Sequence, residues 1–199
     1  MPTIGITGGV ATGKSTVAQL FGELGACVLS ADDAAREVTA PGTPALEEIS
    51  AEFGEDLILA DGSLDRRKLG RIVFKDARAR RRLEDITHPR IRRLLREMIE
   101  QARTIDPTRV IAVEVPLLYE AGMEDWFDSV VVVSASRRTQ IKRLAAKGYD
   151  AEDAERRIDA QIPLAVKAAR ADYLVENDGD REGLSRTVQS VLKKIVESG

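Results

Sequence analysis

The chain has 199 residues, 43% hydrophobic and 32% charged, enough to bury one sizeable core with small insertions. A net charge of −3 and an aromatic content of 4% argue against a nucleic-acid surface, because they offer neither a global positive field nor a stacking platform. The single cysteine excludes a disulfide within the chain, and no leader pattern or run of ~20 apolar residues appears, so a soluble cytoplasmic protein without a membrane span is expected.

Ile4 to Thr7 reads as a short buried strand, and Thr16 to Leu24 as a helix with Val17, Leu20, Phe21 and Leu24 at helical spacing, stopped by Gly25. Cys27 to Leu29 is a second strand, in which Cys27 is expected as a buried thiol. Residues 33–102 carry helical patterns and no convincing strand. Within them Ile91, Leu94, Leu95, Met98, Ile99 and Ala102 form one helix face, with Pro89 expected at a first-turn position. Val110 to Val113 is a third strand. Val130 to Val133, four β-branched residues in a row, is the clearest strand, and Tyr173 to Val175 is a fifth. Residues 137–170 are again helical, and Gly183 to Val196 forms a closing amphipathic helix. Continuous apolar strands separated by helices imply an α/β fold: a parallel sheet of about five strands covered on both faces. The segments 1–32, 103–136 and 171–199 then form the core, and 33–102 and 137–170 are two helical insertions.

Gly8-x4-Gly13-Lys14-Ser15 matches the P-loop pattern between a strand and a helix. Glycines let successive N–H groups converge into an anion nest, and the following helix adds its positive end. Residues 8–16 (Gly8, Gly9, Val10, Ala11, Thr12, Gly13, Lys14, Ser15 and Thr16) are therefore the candidate ATP-binding loop. Lys14 is aimed at the β- and γ-phosphates, and the Ser15 hydroxyl at Mg²⁺. Glu114, at the end of the third strand, stands where P-loop proteins place an acidic residue toward the metal. Asn177 and Gly179, after the fifth strand, are candidates for the adenine pocket or for a plain turn.

Three functions compete for such a loop. A GTPase switch lacks its Asn-Lys-x-Asp, and Asp180-x-x-Gly183 opens the last helix instead of following the third strand. A motor would need a longer chain. A small-molecule kinase needs an acceptor pocket, a base and a cationic lid, which the two insertions can supply.

The stretch "GITGGVATGKSTVAQLFGELGACVLSADDAAREV", followed in order by "PGTPAL", "THPRI", "VPLLYE", "QIKRLAAK", "RIDAQIP" and "ADYLVENDGD", resembles the dephospho-CoA kinases over nearly the whole chain. The resemblance implies transfer of the ATP γ-phosphoryl to the ribose 3′-hydroxyl of dephospho-CoA. It also implies that 33–102 is a CoA-binding helical domain and 137–170 a lid. Other nucleoside or nucleotide kinases of the same core, and a slow ATP-binding regulatory protein, are the alternatives. The sequence leaves the oligomeric state open.

Asp32 aligns with the family's base, with Asp33 adjacent. Its competing role is the N-cap of a helix over Asp33 to Val38. Ser30 stands where the family often has an aspartate. Arg36, one turn on, could approach the acceptor or pair with Asp32. His88, the only histidine, carries the Thr87-His88-Pro89 match to the acceptor side. From Arg66 to Arg96 there are 13 Lys/Arg against 3 Asp/Glu (Asp76, Glu84, Asp85), read either as a basic surface for an anionic acceptor or as solvated helix faces. Gln140, Arg143 and Lys147 are expected on one helix face closing over ATP, with Arg157 and Gln161 repeating the pattern. Arg143 matches the family's lid arginine, and Lys147 stands where an arginine is common. Ala11 and Thr12 replace a glycine and a serine of the family loop. Little loss is expected from the alanine unless the position needs φ > 0.

Overall fold

Five parallel strands, Thr3–Gly8 (β1), Cys27–Ser30 (β2), Ile111–Glu114 (β3), Ser129–Ser134 (β4) and Tyr173–Glu176 (β5), form a sheet in the order β2-β3-β1-β4-β5. The computed structural model describes residues 1–198 and divides the chain into two units, one built from Met1–Ser30 with Gln101 onward and the other from Ala31–Glu100.

In the sheet unit, Lys14–Glu23 (α1) follows β1 and Arg181–Ser198 (α9) follows β5. Val17 and Phe21 of α1 and Leu184, Val188 and Ile195 of α9 share one core cluster with Ile4, Ile6, Val131 and Val133. Because alternate strand residues face opposite sides, Gly5 turns to the other face. A Cβ there would come within 2.6 Å of Leu118 and 2.8 Å of Phe127, so the smallest residue lets those two side chains close onto the strand. β1 is central. The chain extends the sheet to one side through β2 and β3 and to the other through β4 and β5. The carboxyl end of β1 therefore opens into the crevice where doubly wound sheets bind ligands. Arg137–Ala145 (α6), Ala151–Asp159 (α7) and Leu164–Ala169 (α8) belong to this same unit.

The second unit contains Ala31–Val38 (α2), Pro44–Phe53 (α3), Arg66–Lys75 (α4) and most of Ala77–Ile105 (α5). Its own cluster joins Leu46, Ile49, Leu57, Leu64 and Leu69, with Phe53, Ile72 and Leu83 packed against them. Among the described residues no helix is long and apolar enough to cross a membrane.

The structure corrects several local expectations. Each strand ends one residue further than expected, β1 and β4 also start one earlier and β3 starts one later, at Ile111; α1 starts at Lys14, two residues early. Pro89 is not in a first turn but lies inside the 29-residue α5. A proline there costs the helix a hydrogen bond and crowds the preceding turn. Side-chain donors serve nearby carbonyls: Thr87 Oγ1 donates to Leu83 O at 2.7 Å, and Arg90 Nη1 to Ile86 O at 2.6 Å. Cys27 is only partly buried, because β2 is an edge strand. The helix after β2 begins at Ala31, so Asp32 lies within its first turn and is not the cap that precedes it. Arg36 pairs with Asp33 at 3.0 Å, three residues back, and not with Asp32.

Candidate active site

β1 ends at Gly8 and the chain turns through residues 9–13 before α1 begins. Two glycines are required by this path. Gly8 has φ 152°, and a Cβ would sit 2.2 Å from Val133 O. Gly13 has φ 95°, and a Cβ would sit 2.2 Å from Asn177 Nδ2. Ala11 is the surprise. Its φ is 58°, in the left-handed region, so the alanine does carry a conformational cost, contrary to the expectation of little loss.

Each carbonyl from Gly9 to Thr12 has an identified donor. Gly9 O accepts from Lys14 Nζ at 2.9 Å and from Thr12 Oγ1 at 3.0 Å. Val10 O accepts from Gln140 Nε2 at 2.7 Å. Ala11 O and Thr12 O accept from Arg143 Nη1 at 3.2 and 2.9 Å, and Thr12 O also accepts from Asn177 Nδ2 at 2.7 Å. Tying the carbonyls to donors around the loop is the condition for an anion nest, since successive N–H groups converge only when the carbonyls between them turn away. Two loop N–H groups are engaged within the protein: that of Thr12 donates to Gly9 O at 3.4 Å, and that of Val10 donates to Gln161 Oε1 at 2.7 Å. Both polar groups of the Val10 backbone are thus engaged by glutamines.

Ser15 Oγ donates to Glu114 Oε1 at 2.8 Å, so the two residues expected at the metal are brought together from α1 and the end of β3. Lys14 is 8% exposed, held by the loop it serves. Arg143 also donates through Nη2 to Asn177 O at 2.9 Å. It links the phosphate loop to the segment after β5. That segment is fixed in turn, because Asp178 accepts from the Ser136 N–H and hydroxyl, both at 2.8 Å. Hydrogen bonds from Thr139 and Ser136 hold the Asp178 carboxyl below the ordinary carboxylate range.

A cleft of about 600 Å³ opens beside the loop, lined by Ala11, Gly13, Ser15, Thr16, Arg143, Lys147, Asn177 and Gly179 among others. Lys147 lies beyond the end of α6, so it reaches this cleft from a turn and not from the expected helix face. Gln140 is buried and committed to the Val10 carbonyl of the phosphate loop. Arg157 stacks on the Tyr149 ring, 4.1 Å from its centroid. The sequence pattern grouped these residues as one cationic face, but the polar partners of both glutamines lie in the phosphate loop, too distant in sequence for periodicity to show.

In the other unit, Asp32 is exposed and unpaired in the first turn of α2, while Asp33 holds Arg36. Arg66 reaches the residue just past this helix, donating through Nη2 to Thr39 Oγ1 at 2.6 Å. His88 is exposed on α5 beside a cavity of about 390 Å³ that it lines with Glu84, Asp85, Pro89 and Arg92. Several members of the basic stretch are engaged by acidic neighbours. Lys68 pairs with Asp56 and Arg82 with Glu52, while Arg90 reaches Glu48 at 2.7 Å.

A central strand feeding a glycine loop, a buried lysine and a hydroxyl–carboxylate pair on a parallel sheet define a nucleotide-binding P-loop protein, and the fold is that of the P-loop kinases. The dephospho-CoA kinase family model matches residues 2–182. The chain belongs to that family. It is 46% identical to the dephospho-CoA kinase of Geobacter metallireducens, over 99% of this chain and 98% of that protein. It is 48% identical to that of Anaeromyxobacter dehalogenans, over 96% of this chain and 91% of that protein. The solved dephospho-CoA kinase of Campylobacter jejuni superposes with a TM-score of 0.72 at 29% identity, covering 98% of each chain.

Proposed function

We propose that this chain transfers the γ-phosphoryl group of ATP to the ribose 3′-hydroxyl of dephospho-CoA, giving coenzyme A and ADP. The observation that carries the reading is the family match across nearly the whole chain, joined to a P-loop whose carbonyls are tied back as an anion nest needs.

Each residue then has a physical task. The loop holds the ATP phosphates on backbone N–H groups at the positive end of α1. Lys14, already seated at the loop, offsets charge that grows on the departing γ-phosphoryl group. Ser15 and Glu114 supply two hard oxygen donors 2.8 Å apart, the protein's share of an Mg²⁺ site completed by phosphate oxygens and water. Mg²⁺ would neutralise phosphate charge during transfer. The cleft lined by Asn177 and Gly179 suits the adenine end. Asp32 is the proposed base for the 3′-hydroxyl, and Arg36 and His88 belong to the acceptor side. These last roles rest on the family resemblance. We further read the unit Ala31–Glu100 as the acceptor-binding domain and 137–170 as the lid, in a cytoplasmic enzyme.

The test is ADP release by purified protein with dephospho-CoA, AMP, CMP, uridine or pantothenate as acceptor. Dephospho-CoA is expected to give the highest kcat/KM. A higher value with AMP or CMP would transfer the assignment to another nucleotide kinase activity.

A further inference from the structure

The two glutamines that grip Val10 act on two successive peptide planes. In a trans peptide the C=O of one residue and the N–H of the next point in opposite directions. Gln161 Oε1 accepts from Val10 N–H at 2.7 Å. The partner carbonyl of that plane, Gly9 O, is thereby turned the other way, where Lys14 Nζ and Thr12 Oγ1 donate to it at 2.9 and 3.0 Å. Gln140 Nε2 donates to Val10 O at 2.7 Å. That fixes the next plane and directs the Ala11 N–H away from Gln140. Ala11 then takes its left-handed turn at φ 58°. A non-glycine residue stays in that region only when its surroundings over-determine it, and the two amides immediately before it do so.

Gln161 is itself anchored. The N–H of the next residue, Ile162, donates to Glu120 Oε1 at 3.2 Å. The same carboxylate oxygen lies 2.7 Å from Nζ of Lys167, whose side chain is wholly buried. That contact is ionic and lacks the alignment of a hydrogen bond. A buried ammonium needs its counter-charge, so the Glu120–Lys167 pair resists movement and holds the 161–162 segment against the loop.

We infer that Gln140 and Gln161 are positioning residues for phosphoryl transfer: Gln161 sets the carbonyl that seats Lys14, and Gln140 sets the peptide plane that aims the Ala11 N–H. The inference rests on the reading of the loop as the ATP site. It differs from a lid role, in which both amides would meet the nucleotide itself.

The hydrogen-bond polarity gives the test. Val10 N–H needs an acceptor and Val10 O needs a donor, so replacement by glutamate preserves the first contact and destroys the second. Both glutamate variants add a charge beside Val10, at a more buried position for Gln140, and the uncharged methionine variants give the loss of each contact without that charge. Steady-state phosphorylation of dephospho-CoA, ADP affinity by calorimetry and melting temperature would be measured on wild type, Gln161→Met, Gln161→Glu, Gln140→Met and Gln140→Glu. Misplacement of this kind can cost up to about 100-fold. We expect kcat to fall by about that factor in both methionine variants, Gln161→Glu to recover most of it, and Gln140→Glu to recover none. Gln161 is only partly buried, so its variants carry the test if the Gln140 variants do not fold. Equal activity of both glutamate variants, or methionine variants as active as wild type, would overturn the positioning roles alone. A wild-type protein that does not phosphorylate dephospho-CoA would overturn the reading beneath them.

Discussion

Ser15 Oγ and Glu114 Oε1 meet at 2.8 Å although the residues are 99 positions apart in the chain. The contact joins the first turn of the helix after the phosphate loop to the carboxyl end of β3, which pairs with β1 in parallel through Ile6 and Glu114. The sheet register therefore delivers the carboxylate to the hydroxyl, and the pair is built into the fold before any ligand arrives.

If this pair organises the metal, Glu114→Gln keeps an oxygen that can accept from Ser15 and removes the charge. Residues that orient metal ligands typically contribute about 10–100-fold in metal affinity or activity. The apparent Mg²⁺ affinity should fall by that order, with turnover partly restored at high Mg²⁺. Titrating turnover against Mg²⁺ for wild type and Glu114→Gln reads this directly. An unchanged Mg²⁺ midpoint would leave Glu114 as a structural partner of Ser15 only.

Ala11→Gly should stabilise the protein. A non-glycine residue in the left-handed region costs roughly 1–2 kcal/mol, and glycine gives back about 0.4–1 kcal/mol through the greater freedom of the unfolded chain. The net gain lies between about 0 and 1.6 kcal/mol, and each kcal/mol raises Tm by ~2–4 °C for a chain of this size. A lower Tm for the nucleotide-free Ala11→Gly protein would show that the alanine turn carries no strain.

Arg143 donates to three carbonyls, those of Ala11, Thr12 and Asn177. Removing the guanidinium strands the Ala11 and Asn177 carbonyls, each worth about 1–3 kcal/mol when left unpaired, while Thr12 O keeps its bond from Asn177 Nδ2. Arg143→Ala should therefore lower the Tm of the nucleotide-free protein by several degrees, raise the KM for ATP and reduce kcat. Arg143→Lys should recover little, because one ammonium cannot reproduce the planar fork. A lid residue that engages only upon closure would leave the nucleotide-free Tm unmoved, so that measurement separates the two roles.

The strands were legible because each is a continuous apolar run, and the phosphate loop because glycine, lysine and serine sit at fixed spacing between a strand and a helix. What stayed hidden has physical causes. The left-handed turn at Ala11 is concealed by a residue that rarely adopts it. α5 runs on through Pro89, where local propensity alone would end or begin a helix. Gln140 and Gln161 fit a helical spacing with cationic neighbours, yet their partners are backbone atoms of Val10, 130 and 151 residues away. Lys167, wholly buried against Glu120, reads in sequence as one more surface lysine.

The two aspartates of α2 give the sharpest test of the acceptor side. Asp32 and Asp33 both lie in the first turn of the helix, where a carboxylate favours the positive end. Asp33 is engaged by Arg36 at 3.0 Å, in a pair whose side chains are 69% and 65% exposed and which therefore adds little stability. Asp32 has no such partner and remains available to a hydroxyl. Since it lies inside the helix and does not cap it, Asp32→Asn should cost only the small interaction with the helix end, about 0.3–1 kcal/mol. Loss of a general base typically costs about 10²–10⁴-fold. In a loose phosphoryl-transfer transition state the hydroxyl proton leaves late, so part of the role is orientation and the lower end of that range applies. We expect kcat of Asp32→Asn to fall roughly 10²-fold, with ATP Kd and Tm nearly unchanged, and Asp33→Asn to keep most activity while releasing Arg36. Measuring kcat, ATP Kd and Tm on both variants decides between them. A greater kinetic loss at Asp33 would move the base one residue along and make the Arg36 pair part of the acceptor site.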